Sequence, residues 1–144
     1  MKPLRNQFVA FAVGMTMAML TVVSIPAVVH AQSAMQVNIP FDFYIGTQKF
    51  PSGNYKVEVS GVYVKVSDKE GHAAFALTNA VQNPESRTLS VGKLLFTRYD
   101  SYLFLSEVRR AGYSNGNGLI PSHLESQIAK NGVDRQQLAF SATH

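Results

Sequence analysis

Residues Tyr55 to Leu77 constrain the fold more than any other stretch, because one period runs through three successive segments. Tyr55, Val57 and Val59 alternate with Lys56, Glu58 and Ser60, and Val62, Val64 and Val66 alternate with Tyr63, Lys65 and Ser67. A period of two describes a strand with one face buried. Ser60-Gly61 reads as a two-residue hairpin turn, which sets Val59 opposite Val62, Val57 opposite Val64 and Tyr55 opposite Val66. Asp68 to Gly71 reads as a four-residue turn, which sets Val66 opposite Ala73, Val64 opposite Phe75 and Val62 opposite Leu77. On this register every apolar side chain lies on one face, and a slip of one residue would carry a strand's set to the other.

The flanks extend the same pattern. Val37, Ile39, Phe41, Phe43 and Ile45 alternate with Asn38, Pro40, Asp42 and Tyr44. Pro40 has no N–H to give to a ladder, so this strand is expected at an edge, or bulged near Pro40. Asn83-Pro84 marks a loop, and Thr88 to Val91 is expected to add a short strand. "KLLFTRY" and "YLFLSEV" pair across Asp100-Ser101 or a slightly wider turn, with Leu94, Phe96, Leu103 and Leu105 on one face and Leu95, Tyr99, Tyr102 and Phe104 on the other. Large apolar groups on both faces mean a central strand pair, or one covered on both sides. Ser122 stands three residues before Glu125, the spacing of a capping box, and Asn131-Gly132 supplies a stop, so a helix of two to three turns is expected between them. Residues 133–144 read as a flexible, mostly polar tail.

The amino terminus has another purpose. Lys2 and Arg5 precede an uncharged run from Phe8 to Val29, and Val29 and Ala31 are the small residues of a cleavage site after Ala31. These are the three parts of a secretory signal peptide. The rival is an uncleaved anchor helix, since about 20 apolar residues can span a bilayer, but Thr16, Thr21, Ser24 and Pro26 weaken it. Removal of 31 of the 144 residues leaves 113, read as one β-rich domain over 32–132 followed by the tail. Lys2 and Arg5 leave with the leader, so 11 basic residues face 9 acidic ones and the charge falls from +4 to +2. So balanced a surface argues against a nucleic-acid footprint. The chain has no cysteine. That excludes disulfides, thiolate metal sites and cysteine nucleophiles from a domain expected in the periplasm or outside the cell.

Four segments carry a resemblance: "VNIPFDFYIGTQKFPSGNYKV", "AFALTNAV", "GKLLFTRYDSYLFLSEV" and "IPSHLESQIAK". Over nearly the whole mature chain it resembles a group of small exported acidobacterial proteins, with Phe50 and Ser52 in "FPSG" and Asp100 as departures at turns. The resemblance implies export and a β-rich domain, and it brings no active site.

The side chains that carry chemistry are few. Asp68, Glu70 and His72 share one turn, where a metal could be held weakly, but a solvated polar turn explains them better. His123 begins the helix and has a surface role by default; His30 leaves with the leader, and His144 is terminal. Arg98 and Glu107 are expected on one side of the last hairpin, as a surface ion pair. Tyr99 and Tyr102 are cross-strand neighbours that could stack a sugar ring or a peptide, though packing already accounts for them. Arg98, Tyr99, Tyr102 and Glu107 are thus the candidate ligand or partner contacts. No G-x-S-x-G elbow, phosphate loop or dinucleotide fingerprint occurs, so no catalytic residue, cofactor or metal is expected.

The sequence therefore reads as an all-β domain, a small antiparallel barrel or sandwich of six to eight strands with one short C-terminal helix. Its expected role is non-enzymatic, binding a partner protein or envelope component, with no stable membrane span once the leader is cleaved. Two alternatives stand beside it. One is a small exported hydrolase built on a histidine and a carboxylate. The other is a subunit that lends its first strand to an envelope assembly.

Overall fold

The computed structural model describes residues 34–82 and 89–142. The expected leader, the expected loop at Asn83-Pro84, Thr88 and His144 lie outside the described residues. Among the described residues there are ten strands, β1 (Ala34–Ile39), β2 (Phe43–Ile45), β3 (Gln48–Phe50), β4 (Gly53–Ser60), β5 (Tyr63–Ser67), β6 (Ala73–Gln82), β7 (Lys93–Tyr99), β8 (Tyr102–Arg109), β9 (Asn115–Leu119) and β10 (Arg135–Ser141), and one helix, α1 (His123–Lys130). They form a single mixed sheet that does not close. Its order is β1-β4-β5-β6-β9-β8-β2-β3, with β7 on β8 and β10 on β7. The all-β reading with one short helix is what the structure shows. The two strands beyond the expected eight come from short or weakly alternating stretches such as "FYI", "QKF" and "NGNGL", and Leu89 to Val91 form a bend rather than a strand.

The alternating run from Val37 to Ile45 is two strands, not one. β1 pairs antiparallel with β4, whereas β2 pairs with β3 and, in parallel at Tyr44–Phe104, with β8. Pro40 lies between them, where the chain leaves one ladder for another and no ladder N–H is required. The inward face continues through this crossing: Val37, Ile39, Phe43 and Ile45 are buried, and Phe41 is half-buried between the Phe96 and Phe140 rings.

Both hairpin registers differ from the sequence reading. β4 and β5 meet with Ser60 opposite Tyr63, Val59 opposite Val64 and Val57 opposite Val66. The turn is therefore Gly61-Val62, shifted by one residue, and the pairing is offset by two. Gly61 takes φ +57 there, a left-handed conformation that favours glycine. An even offset preserves the buried face but expels Val62, which is 56% exposed. The next hairpin differs more. Five residues, Asp68 to His72, form its loop, because the Asp68 carboxylate accepts the N–H groups of Glu70 and His72 and the Asp68 N–H donates to the His72 carbonyl. The extra residue pairs Val66 with Ala74, Val64 with Ala76, Lys65 with Phe75 and Tyr63 with Leu77. Phe75 and Leu77 consequently point outward, opposite to the expectation. Ala74 and Ala76 point inward, where β2 approaches β6.

β7 and β8 are covered on both faces, as their sequence implied. Leu94, Phe96, Leu105 and Val108 join the main core. Leu95, Tyr99 and Phe104 are buried outside it, with Glu125 of α1 against Tyr99. The β7–β8 turn places Asp100 at φ 52. A non-glycine residue there costs about 1 kcal/mol, so Asp100→Gly is expected to raise the urea midpoint slightly; a lowered midpoint would contradict this. Residues Arg135 to Ser141, expected in a flexible tail, form β10 and pair with β7 along its length. Leu138, Phe140 and Ala142 pack on the core. Their i, i+2, i+4 spacing is a strand's, but the exposed Arg135, Gln136 and Gln137 precede it.

Candidate functional site

The four residues singled out from the sequence do not form a site. Arg98 is exposed, and its Nε donates to the Asp100 carbonyl at 2.9 Å. Glu107 is buried and bonds Arg109 Nε at 2.6 Å instead of meeting Arg98. The reason is a bulge: β8 pairs Glu107 with Leu95 but Leu105 with Phe96, leaving Ser106 unpaired, with its hydroxyl donating to the Leu95 carbonyl. A Cβ on Gly116 would overlap the Glu107 carboxylate, so this ion pair lies directly on the backbone of β9. Tyr99 is buried, and its hydroxyl reaches Glu125 Oε1 at a long 3.5 Å. Only Tyr102 keeps a binding character. It is 37% exposed, with its ring 5.6 Å from that of Tyr44 and 6.4 Å from that of Phe104.

Helix α1 carries half of the expected capping box. The Ser122 hydroxyl accepts the Glu125 N–H at 3.1 Å, while the Glu125 carboxylate turns inward to Tyr99. Burial pushes the Glu125 carboxyl above the ordinary range, against the Tyr99 hydroxyl and the Arg135 charge, which pull it down. With the folded value raised, the contribution of this group is fully present below the ordinary glutamate range and is lost as pH rises through the raised value. Glu125→Gln, which stays neutral, is therefore expected to match the wild type near pH 4 and to exceed it in urea midpoint near pH 8. A difference constant across that range would reject the assignment.

The turn at Asp68, Glu70 and His72 brings its three side chains together, with potential ligand atoms within 4.8 Å of one another. Asp68 Oδ2 lies 2.8 Å from His72 Nδ1, and the hydrogen bond and charge of Asp68 raise the imidazole pKa. Burial works to raise the Asp68 pKa, but the His72 ring and two backbone amides outweigh it and hold the carboxyl below its usual range. These bonds build the five-residue loop, so folding accounts for the cluster. A histidine beside a carboxylate is the pairing a hydrolase would need. Here it stands at an exposed hairpin tip, and no serine hydroxyl bonds the ring among the described residues.

A better site stands where the register differs from expectation. Outward residues of β4, β5 and β6 align in rows: Ser60, Tyr63 and Leu77, then Glu58, Lys65 and Phe75, then Lys56, Ser67 and Ala73. The Ile120 N–H donates to the Leu77 carbonyl, which extends the first row beyond β9. Phe75 is 68% exposed and Tyr63 52%, with Leu77, Val62 and Ile120 similarly open. Contiguous exposure of this kind is uncommon on a domain with no partner for it. Beside the apolar row, Glu58 bridges Lys56 at 2.8 Å and Lys65 at 3.7 Å, and the Lys65 ammonium lies 5.8 Å from the centre of the Phe75 ring. The bond from Lys56 is the main cause lowering the Glu58 pKa, so its carboxylate stays ionised. Glu58, Ser60, Tyr63, Lys65 and Phe75 line a concavity of about 470 Å³. A second hollow of about 380 Å³ lies along Gln36, Asn54, Lys56 and Lys69, but Tyr55 is buried at its floor, so it offers no exposed ring.

Sequence reasoning missed this face because it assigned Phe75 and Leu77 to the core. The available signal was Ala74, Ala76 and Thr78 on the alternate positions, a set small enough for the inner face of a strand near bulky neighbours. No protein-family model, curated protein or solved structure matches the chain.

Proposed function

We propose that this chain is an exported, non-enzymatic binding domain that holds an envelope component on the outward face of β4, β5 and β6. The observation that carries the reading is the open row of Tyr63 and Leu77, with Phe75 beside it, on a sheet whose other face is a closed core. Large side chains left in water on a rigid sheet give binding area without the ordering cost of a loop. The ionic group beside them supplies orientation. The leader with its small-residue exit and the resemblance to exported proteins support delivery to the periplasm or beyond it.

The lack of any catalytic motif supports a binder over an enzyme. Burial of Val37 and Ile39 in their own chain weighs against lending β1 to a neighbour, since donation would empty two core positions. The test is co-sedimentation of the exported protein with isolated envelope fractions, compared with a Tyr63→Ala/Phe75→Ala double variant. Retention by the wild type and release of the variant are expected. Equal retention of both proteins, or none of either, rejects the face as the binding surface.

A further inference from the structure

We infer that the outward concavity takes a saccharide, one to three rings of an uncharged or singly acidic glycan chain; this rests on the proposed binding face and names its ligand class. Three features point to that chemistry.

The first is the pairing of ring and hydroxyl partners. Tyr63 and Phe75 sit on adjacent strands, diagonal across the Tyr63–Leu77 and Lys65–Phe75 pairs. Both rings are open to solvent. Diagonal neighbours are about 7–8 Å apart at Cα, close enough for two rings to hold one small ligand between them. The face of a pyranose is a patch of C–H groups, which suits an aromatic ring, and its rim is a set of hydroxyls. The walls of the concavity hold partners for such a rim: the Glu58 carboxylate and Ser60 hydroxyl as acceptors, and the Lys65 ammonium as donor.

The second feature is charge. Glu58 is flanked by Lys56 and Lys65, so the cluster is mostly compensated internally and carries one excess positive charge. A polyanion would find too little to bind, and a cation would be repelled. A neutral or singly acidic ligand with many hydroxyls fits, because it can insert into the existing network without stranding a charge.

The third feature is size. About 470 Å³ lined by five residues falls within the range of small-ligand sites. A stable protein partner engages roughly 20–30 residues per side, far more than this concavity supplies. Leu77 and Ile120 continue the apolar row beyond it and give a chain-like ligand a track, not a single slot.

The test is titration of the exported protein with cellotetraose, chitotetraose and the singly acidic trisaccharide sialyllactose, followed by backbone amide NMR and calorimetry. At least one probe is expected to bind with a millimolar or tighter dissociation constant, with shifts confined to β4, β5, β6 and Ile120. Loss of either aromatic ring weakens binding about tenfold, the equivalent of one stacking contact. The exposed positions of Tyr63 and Phe75 make both alanine variants foldable, which unchanged spectra elsewhere would establish. Glu58→Gln is expected to weaken binding with the rings intact.

Absence of shifts with all three probes overturns the inference, as does binding unaffected by the double aromatic variant. If the double variant loses envelope fractions while no saccharide binds, the face is a protein-docking surface and only the ligand class is wrong. If envelope retention is also unaffected, the binding-face reading fails with it.

Discussion

Truncating Phe43 to alanine is expected to remove about 3–5 kcal/mol of folding free energy, the usual cost of emptying an aromatic core site. The Phe43 side chain is wholly buried. Its ring meets Tyr55 and Phe96 edge-on at 5.1 and 5.6 Å and stacks on Phe50 at 5.6 Å. One residue therefore ties β2, β3, β4 and β7 together. The domain has no disulfide to limit the entropy of its unfolded chain, and small domains have only about 5–15 kcal/mol in all. Urea unfolding should show the midpoint falling by about a fifth or more of its value. Phe43→Leu keeps most of the volume and should cost less than about 1.5 kcal/mol. A loss below about 1 kcal/mol for the alanine variant would mean that the rings do not form a shared core.

The same cluster explains why parity was easier to read than register. Alternation from Val37 to Val66 states which residues face inward, and every one of them except Val62 does so. It does not state the offset between strands, because pairing shifted by two residues satisfies the same pattern. Gly61 decides between the two offsets: its φ of +57 places it first in the turn, and Val62 leaves the ladder. In the following hairpin an odd shift occurred, and its cause is a side chain. Asp68 binds two amides within its own loop and lengthens it from four residues to five. Counting residues between apolar runs cannot register a hydrogen bond of that kind.

The candidate site was hidden for the same reason. Tyr63, Phe75 and Leu77 become a binding face only once the strand is slipped by one, and hydrophobicity alone favours the opposite face. The residues chosen from sequence were placed by assuming an unbroken β7–β8 ladder. Ser106 interrupts that ladder, and beyond it Glu107 bonds Arg109 above Gly116. Tyr102 escaped because it lies on the turn side of the bulge, where the Tyr99–Tyr102 pairing held.

Ending the chain at Val133 should be nearly as damaging as losing Phe43, roughly 3–5 kcal/mol from the burial of two large apolar side chains and their ring contacts. β10 packs the half-buried Leu138, Phe140 and Ala142 against the core. The Phe140 ring lies 4.9 Å from Phe41 and 5.9 Å from Phe96. It thereby anchors the Pro40 crossing, since Phe41 follows that proline directly. The Ala142 N–H donates to the Gly92 carbonyl at 2.8 Å and fastens the end of the strand to the entrance of β7. Removing β10 also strips β7 of its ladder partner along its whole length. An edge bearing Leu94, Leu95 and Phe96 would be free to pair with other chains. The truncated protein is therefore expected to unfold at lower urea and to associate as its concentration rises. A synthetic peptide spanning 134–144 should reverse both effects by strand addition. A polar tail with no structural role predicts an unchanged midpoint and no response to the peptide, so the two accounts separate in a single titration.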